Sequence, residues 1–431
     1  MRSHLWPLGL AVLLHNPSFA QSVDAAHSGT VEPGHAGATH DAAPAAALTL
    51  TTALEKAFGA NPELSAARRE QDAVEATIAQ AQARPNPEIS AYIEDTRKAT
   101  RSTTLQLSQS IELGGKRAAR IGAAEYGRDA ASVGLAAKRA EIHARVVVAF
   151  HDVLAAQERV RLAQASVELA QRASNAATRR VTAGKVSPVE ATRARVAEAS
   201  VRVEWAIATS ELATARKRLA GHWGDRSPDF ARVEGELTAL PPLPALSELN
   251  ERLAASPGMA QARIEVERRQ ALAEIERSRR VPDLTVSLGA RRNEELGLDQ
   301  AILGVSMPIP VFNRNQGNLL EALHRTDKAR DELAAAGIRL SNALMLAYER
   351  LSAARQEAAM LEQEILPGAQ SAYDAATKGF ELGKFGFLDV LDAQRTAFQA
   401  QSQYLRALAE AHRSAADIQL ILGGAPAATQ P

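Results

Sequence analysis

Residues 105–117, LQLSQSIELGGKR, decide the fold of this chain. Apolar and polar residues alternate up to Leu113, which predicts a strand with one polar face. Gly114-Gly115 closes the strand, and no proline follows between Lys116 and Thr182, so the chain can continue there as one helix. At 1.5 Å per residue such a helix would span roughly 100 Å. A strand followed by a helix of that length indicates an elongated protein rather than a compact domain.

The same alternation of apolar and polar residues occurs three more times. It predicts strands of about ten residues each, at about 87–96, 103–113, 282–291 and 301–311. A helical pattern precedes each pair of strands, over 52–84 and over 246–280. The chain is therefore predicted to be mainly α-helical with a smaller β part.

Each pair of strands is followed by a helix with the repeat of a coiled coil. In the first helix Val146, Val153 and Val160 recur every seven residues, and alanines between them allow a neighbouring helix to approach closely. The second helix extends over about 314–378, and Pro367-Gly368 predicts a kink in it. Both helices are therefore predicted to pack against neighbours along a narrow seam.

The second half of the chain repeats the plan of the first. Pro87 corresponds to Pro282 at an offset of 195, and the Gly-Lys pairs at 184–185 and 383–384 correspond at an offset of 199. Offsets that drift this slowly, with the order of elements preserved, indicate an internal duplication. The predicted organisation is a first repeat (48–221, hairpin turn 183–190), a connecting segment (222–245), a second repeat (246–422, hairpin turn 382–389) and a tail (423–431).

The first residues indicate export. Arg2 precedes an apolar run over 5–14, and small residues follow as a signal peptidase requires, so residues 1–20 are predicted to be a signal peptide. Residues 21–47 lack periodicity and are predicted to be a flexible leader. No later run approaches the ~18 consecutive apolar residues of a membrane-spanning helix.

Composition excludes several classes of function. Lys plus Arg balances Asp plus Glu at 50 each, so no overall field attracts nucleic acid. The lack of cysteine excludes disulfides and thiolate metal sites. No nucleophile elbow, phosphate loop or pair of metal-binding histidines on a helix occurs, so we expect neither an enzyme nor a cofactor.

The histidines do not form a firm metal site in the sequence. His27, His35 and His40 in the leader could bind metal only loosely, because their spacing matches no closed coordination geometry. The histidines interpreted as isolated and incidental are His143, His151, His222, His324 and His412.

Four strands cannot close a membrane barrel alone, because the smallest membrane barrels have about eight strands. Either several chains contribute strands, or the strands form a soluble sheet with one wet face. The long helices argue against the soluble sheet, since no compact domain needs helices of that length.

Three segments resemble a known family: 108–117, 308–313 and 383–392. Over residues 48–422 the chain resembles the TolC-like outer membrane factors, and the wording IELGGKR is most similar to their heavy-metal, cobalt-zinc-cadmium branch. The resemblance implies a homotrimer, in which four strands per chain form a twelve-stranded β-barrel continuous with a twelve-helix α-barrel tunnel. It also implies a periplasmic adaptor, an inner membrane pump of the resistance-nodulation-division class and contact with outer membrane lipid.

In that family the two hairpin turns form the periplasmic tip of the tunnel. Asp389 and Asp392 match paired aspartates that ring its closed end, with Glu190 as a weaker third member; three copies would form stacked acidic rings that select cations. The alternative is that these acids only complement a helix dipole. The positions of a gating tyrosine and arginine are Phe380 and Phe385 here, so a hydrophobic constriction is one interpretation. The residues expected at the adaptor-docking tips are Gly184, Lys185, Val186, Ser187, Gly383, Lys384, Phe385 and Phe387, the two glycines serving first as helix caps.

The expectation is a passive outer membrane channel of a Gram-negative efflux system. It would conduct heavy-metal cations such as cobalt, zinc and cadmium to the outside, while the pump supplies the energy. Two alternatives stay open. The same duct could carry organic drugs, or the chain could be a periplasmic coiled-coil adaptor or scaffold, since adaptors also use long helical hairpins.

Overall fold

The computed structural model describes residues 47–424, apart from the side chain of Phe387. The predicted signal peptide, the leader up to residue 46 and the tail from residue 425 lie outside the described residues, as do His27, His35 and His40. Between residues 47 and 424 no helix is long and apolar enough to cross a membrane.

The two halves of the described chain contain the same order of elements. The first half consists of β1 (Leu48–Thr49), α1 (Leu50–Ala60), α2 (Pro62–Gln82), β2 (Glu88–Glu94), β3 (Ser102–Ile111), α3 (Lys116–Thr182) and α4 (Pro188–Gly221). After β4 (Val233–Glu234), the second half consists of α5 (Leu246–Leu253), α6 (Pro257–Ser278), β5 (Leu284–Asn293), β6 (Leu298–Ser306), α7 (Gln316–Met360), a π-helical turn (Leu361–Ile365), α8 (Leu366–Glu381) and α9 (Phe387–Leu422).

The first long helix has the predicted bounds, but the helix expected over 246–280 is wrong as a single element. It is interrupted at Ala254–Ser256, between α5 and α6. The Ser256 hydroxyl accepts a hydrogen bond from the backbone N–H of Met259, and Pro257 occupies the first position of α6. A serine cap followed by proline starts a new helix, because proline has no N–H to donate to the preceding turn.

The strand ends also differ from the prediction. The last strand was expected to reach residue 311, but β6 ends at Ser306. Pro308 and Pro310 follow it, and a proline cannot donate a hydrogen bond to a sheet. The apolar residues over 307–311 are therefore not part of a strand.

Strands β2, β3, β5 and β6 form one antiparallel sheet in that order. The central pair, β3 and β5, joins the two halves over the register Ser102–Asn293 to Ile111–Leu284. Each half therefore contributes one hairpin to a shared four-stranded sheet.

Two long hairpins make up most of the molecule. Helix α3 packs against α4, α7 and α8 pack against α9, and the α3–α9 contact joins the two hairpins. Much of the predicted seam is buried in both long helices, whereas Val160 is only partly buried. The buried members are Ile142, Val146, Ala149, Val153, Ala163, Ala170, Leu344, Ala347, Leu351, Ala354 and Ala358. At the expected interruption, the π-helical turn directly precedes Pro367, whose missing N–H removes a helical hydrogen bond.

The connecting segment contributes to the core instead of merely dividing the halves. Its strand β4 pairs in parallel with β1. Trp223, Phe230 and Val233 are buried with Phe150 of α3 in the largest apolar cluster. The segment therefore connects β1 to the middle of α3.

Candidate functional site

The sheet has one mainly apolar face and one mainly polar face. A row of directly opposed residues, Ile89, Leu107, Leu288 and Leu303, crosses all four strands on the apolar face. These side chains are 73%, 49%, 62% and 77% exposed. Apolar side chains exposed in an unbroken row across a sheet mark a surface that faces lipid or another protein.

The opposite face of the sheet has the chemistry of a wet surface. Its polar members include Glu88, Ser90, Glu94, Thr104, Gln106, Ser108, Ser287, Arg291 and Gln300. The Arg291 guanidinium donates hydrogen bonds to the Glu94 carboxylate at 2.6 Å and to the Ser102 hydroxyl at 3.0 Å, so these two opposite charges are paired across strands. A two-faced sheet of this kind can separate lipid from water.

Both edges of the sheet are open. In the described part of the chain, β2 pairs only with β3, and β6 pairs only with β5. The outer N–H and C=O groups of these edge strands are available to another strand. The sheet is thus a segment that other strands can extend on both sides.

A set of polar contacts fixes the sheet on the helices. The Asp283 carboxylate accepts hydrogen bonds from the Lys116 ammonium at 2.6 Å and from the Leu113 backbone N–H at 3.1 Å. Next to this pair, Arg120 forms an ion pair with Glu112. Because these residues come from the end of β3, the start of α3 and the start of β5, they hold the strands in line with the long helices.

The two hairpin tips use the same backbone turn. In the first, the N–H of Lys185 donates to the carbonyl of Arg180 at 2.9 Å, and in the second the N–H of Lys384 donates to the carbonyl of Gly379 at 2.8 Å. Gly184 and Gly383 have φ values of +68° and +76°, as the cap role of these glycines requires. The predicted tip residues lie at these two turns, and Gly184, Lys185, Ser187, Gly383, Lys384 and Phe385 are exposed there.

The second tip carries additional contacts. The Asp389 carboxylate accepts a hydrogen bond from the N–H of Gly386 at 2.8 Å, which caps the N-terminus of α9. Asp392 is exposed one turn later, and Glu190 lies in the first turn of α4. Asp389 therefore caps the helix, as the helix-dipole alternative predicts, whereas Asp392 does not cap α9.

The two phenylalanines of the second tip have different surroundings. Phe380 is partly buried beside Ala177 and Ala194 of the first hairpin. The Arg180 guanidinium lies over the Phe380 ring at 4.8 Å from its centroid, within cation–π range. Phe385 folds back onto Gly379, where an added Cβ would overlap its ring. Phe380 therefore joins the two tips inside one chain, and its contact with Arg180 was not predicted from the sequence.

His151 and His412 correct the interpretation of isolated histidines. Their rings stack at 3.9 Å between centroids, and connect α3 to α9. The His412 Nε2–H donates to the carbonyl of Leu237 in the connecting segment at 3.0 Å, and His151 Nδ1–H donates to the carbonyl of Val147 at 2.8 Å. Burial lowers the pKa of both rings, and the charge of His151 lowers the pKa of His412 further.

A groove of about 1910 Å³ lies between α3, α4 and α9. Its charged lining is mixed in sign, as in the ion pair of Arg159 with Glu211 at 2.8 Å. Within residues 47–424 no group of three or more His, Asp or Glu side chains is placed to hold a metal ion.

Comparison with known proteins decides the family. The family described as Outer membrane efflux protein matches residues 53–225 and 249–424. This chain belongs to the outer membrane efflux protein family. It is similar, with 49% identity over 98% of this chain and 100% of the relative, to the "Cobalt-zinc-cadmium resistance protein CzcC" of Cupriavidus metallidurans. It is 29% identical to the "Nickel and cobalt resistance protein CnrC" of the same organism, over 65% of this chain and 68% of that one.

Solved structures support the fold of this outer membrane efflux protein. The crystal structure of the outer membrane protein VceC from Vibrio cholerae matches with a TM-score of 0.73 at 19% identity, over 87% of this chain and 96% of that one. The fold is therefore that of the TolC-like channels, with a helical tunnel part and a β part. The efflux protein is a passive outer membrane channel and not an enzyme.

Proposed function

We propose that this efflux protein is the outer membrane duct of a three-component heavy-metal exporter and acts as a homotrimer. A periplasmic adaptor and an inner membrane resistance-nodulation-division pump would complete the system. The observation that carries the proposal is the two-faced sheet with open edges, fixed directly on two long helical hairpins. The cobalt, zinc and cadmium in the name of the relative that is 49% identical over its whole length support metal cations as cargo.

The open sheet edges support assembly with other copies. A lone four-stranded sheet would leave the edge groups of β2 and β6 unpaired within a membrane, where each unpaired group costs several kcal/mol. Three copies of this sheet would give twelve strands, enough for a closed barrel. Closure places the apolar row on the lipid side and the polar face toward the water-filled interior.

The hairpin tips support an adaptor-docking role. The predicted docking side chain Phe385 is 50% exposed, and Val189, Leu382 and Leu388 beside the two turns are 55%, 64% and 54% exposed. Apolar side chains exposed at otherwise polar turns fit a protein partner. The last three residues were not among the predicted docking residues, although they lie within the predicted turns 183–190 and 382–389.

The acidic ring and the gate are the finer parts of the proposal. Asp392, exposed on the first turns of α9, would supply the cation-selecting ring, with Asp389 and Glu190 as nearby acids. Phe380 would act in gating through its contact with the first hairpin rather than as a plug in the pore. Phe385, half exposed at the turn, is the better candidate for a hydrophobic constriction.

Of the two alternatives, only one stays open. Transport of organic drugs through the same duct differs from the proposal only in cargo. Membership of the outer membrane efflux protein family excludes a periplasmic adaptor or scaffold. The metal names of two relatives favour metal cargo over drugs.

The function is tested in a strain that lacks this protein but keeps its pump and adaptor. Restoring the chain should restore growth on zinc, cadmium or cobalt and leave antibiotic tolerance unchanged. Recovery of antibiotic tolerance alone would assign the duct to drugs. The matched pair Leu288→Arg and Ser287→Arg places the same charge on the lipid and water faces, so only Leu288→Arg should lose outer membrane protein and resistance, at a cost of about 2–4 kcal/mol.

The trimer is tested by disulfide cross-linking. Because the sequence contains no cysteine, only the introduced cysteines can form disulfides. One cysteine in β2 and one in β6 should give covalent trimers in membranes. A pair at the directly opposed residues Leu105 and Ala290 should cross-link only within a chain. If the cysteines in β2 and β6 gave only monomers under oxidation that closes the disulfide between positions 105 and 290, a closed trimer would be contradicted.

A further inference from the structure

At the end of the sheet that faces the helices, a cavity of about 580 Å³ combines basic and apolar side chains. It lies where β5 begins at Leu284 and β6 has ended at Ser306. Its lining includes Arg280 and Arg314 together with Ile309 and Phe312. None of its lining residues belongs to the hairpin tips or to the proposed acidic ring.

Two of the four cations at the cavity are already neutralised. Lys116 forms an ion pair with Asp283 at 2.6 Å, and Arg279 forms one with Glu276 at 2.6 Å. The guanidinium groups of Arg280 and Arg314 are exposed and have no ion pair or hydrogen bond with any other described residue. The cavity therefore presents an excess of positive charge, which favours an anionic ligand.

The apolar part of the cavity lies just beyond the end of the sheet. The apolar face ends at Leu284 and Val305, and beyond it Ile309 and Phe312 are 81% and 92% exposed. These two side chains lie just past the strand end, next to the unpaired arginines. Along this direction the apolar strand face comes first, the exposed apolar residues next and the unpaired arginines last. A bilayer leaflet has the same order, because its acyl chains are followed by phosphate headgroups.

We propose that this cavity binds an anionic phospholipid of the periplasmic leaflet of the outer membrane. Arg280 and Arg314 bind the phosphate oxygens by charge-assisted hydrogen bonds, and Ile309 and Phe312 contact the glycerol and the first part of the acyl chains. Guanidinium groups fit phosphate because their planar N–H donors match two of its oxygens at once. The bound lipid would fix the position of the channel along the membrane normal. The proposal rests on the outer membrane location of the protein and does not depend on which cargo it exports.

The test measures lipid retained by the purified full-length protein in detergent, using native mass spectrometry. Phosphatidylglycerol and phosphatidylcholine with identical acyl chains are added in turn. The wild type should prefer phosphatidylglycerol. The Arg280→Gln/Arg314→Gln variant should lose roughly fivefold in that preference for each arginine replaced.

Three controls keep the result specific. Arg195→Gln/Arg226→Gln removes two exposed arginines elsewhere and should leave the preference unchanged, whereas Arg280→Lys/Arg314→Lys should keep most of it. Phe312→Ser should weaken retention of both lipids alike. Since the replaced side chains are exposed, we expect all variants to fold, and equal melting temperatures check this.

Equal retention of the two lipids by the wild type would overturn the proposal. So would an unchanged preference in the Gln variant, or displacement of phosphatidylglycerol by millimolar inorganic phosphate, which would assign the cavity to free phosphate. None of these outcomes depends on metal resistance, so the proposed export function can stand or fall separately.

Discussion

The two hairpin tips share a backbone turn and differ in what their side chains do. At the offset of 199 that aligns Gly184 with Gly383, Asp392 corresponds to Arg193, and Phe385 corresponds to Val186. Both turns close with the same pair of hydrogen bonds around a glycine of positive φ. The turn itself is therefore a structural requirement shared by both tips, whereas any asymmetric function must come from the side chains that differ between them.

Gly379→Ala tests this asymmetry with the largest expected effect. An added Cβ would overlap the Phe385 ring, so either the ring or the helix must move, at a cost of about 1–3 kcal/mol. We expect a lower melting temperature and a larger leak current in planar bilayers. Gly368→Ala lies in the same helix with nothing within 4 Å of the new Cβ, so it should be neutral or slightly stabilising. Equal behaviour of the two variants would mean that Phe385 is not held against the helix.

Arg180→Gln breaks the contact between the tips. It removes the cation over the Phe380 ring, an interaction worth about 0.5–1 kcal/mol at an exposed site. The open probability of single channels should rise by roughly two- to fivefold. Arg179→Gln changes the neighbouring exposed arginine and should have no effect. If both substitutions changed gating alike, the cause would be the lost charge and not the ring contact.

Asp392→Asn tests the acidic ring without disturbing a helix cap. The side chain is exposed, whereas Asp389 also caps α9, so Asp389→Asn would mix two effects. We expect a lower cation preference in reversal-potential measurements, with an unchanged melting temperature. Asp331→Asn, an exposed acid on α7, is the matched control. Unchanged selectivity in Asp392→Asn would contradict the ring.

The pH dependence of stability should show the link between the hairpins. The folded pKa values of His151 and His412 lie below the unfolded value because the rings are buried, so the unfolded chain takes up protons first as the pH falls. The contribution to stability is complete above pH ~6.5 and declines as the pH falls toward the folded pKa values. His412→Gln should flatten this decline in thermal melts, whereas His324→Gln, an exposed histidine, should not. An identical slope in the wild type and His412→Gln would show that the stacked pair does not titrate in this range.

Patterns within one element were readable from the sequence. The alternation around Leu107 and Leu288 predicted the two-faced sheet, because side chains in a strand point to opposite faces in turn. The run without proline after Gly115 predicted α3 to the residue, and the glycines of the two turns predicted the tips. The misplaced end of β6 arose because the apolar alternation continued through two prolines that cannot join a sheet.

Contacts between distant residues were not readable in the same way. Nothing in the sequence pairs Arg180 with Phe380, His151 with His412, or Arg280 with Arg314, since each pair depends on how separate elements pack. The connecting segment looked like a divider because it lacks a period, yet its aromatic residues fill the core beside Phe150.

By itself the sequence determined the element types, the two-part plan, the membrane-compatible strands and the resemblance to an efflux channel family. These features depend on local hydrogen bonding and on the periodicity of side chains, and both are set by residues that are close together in the sequence. Only the tertiary structure decided which tip residues are in contact, which acidic residue caps a helix and which of the described arginines have no partner. Such facts depend on burial and charge pairing between residues far apart in the chain, and folding alone brings those residues together.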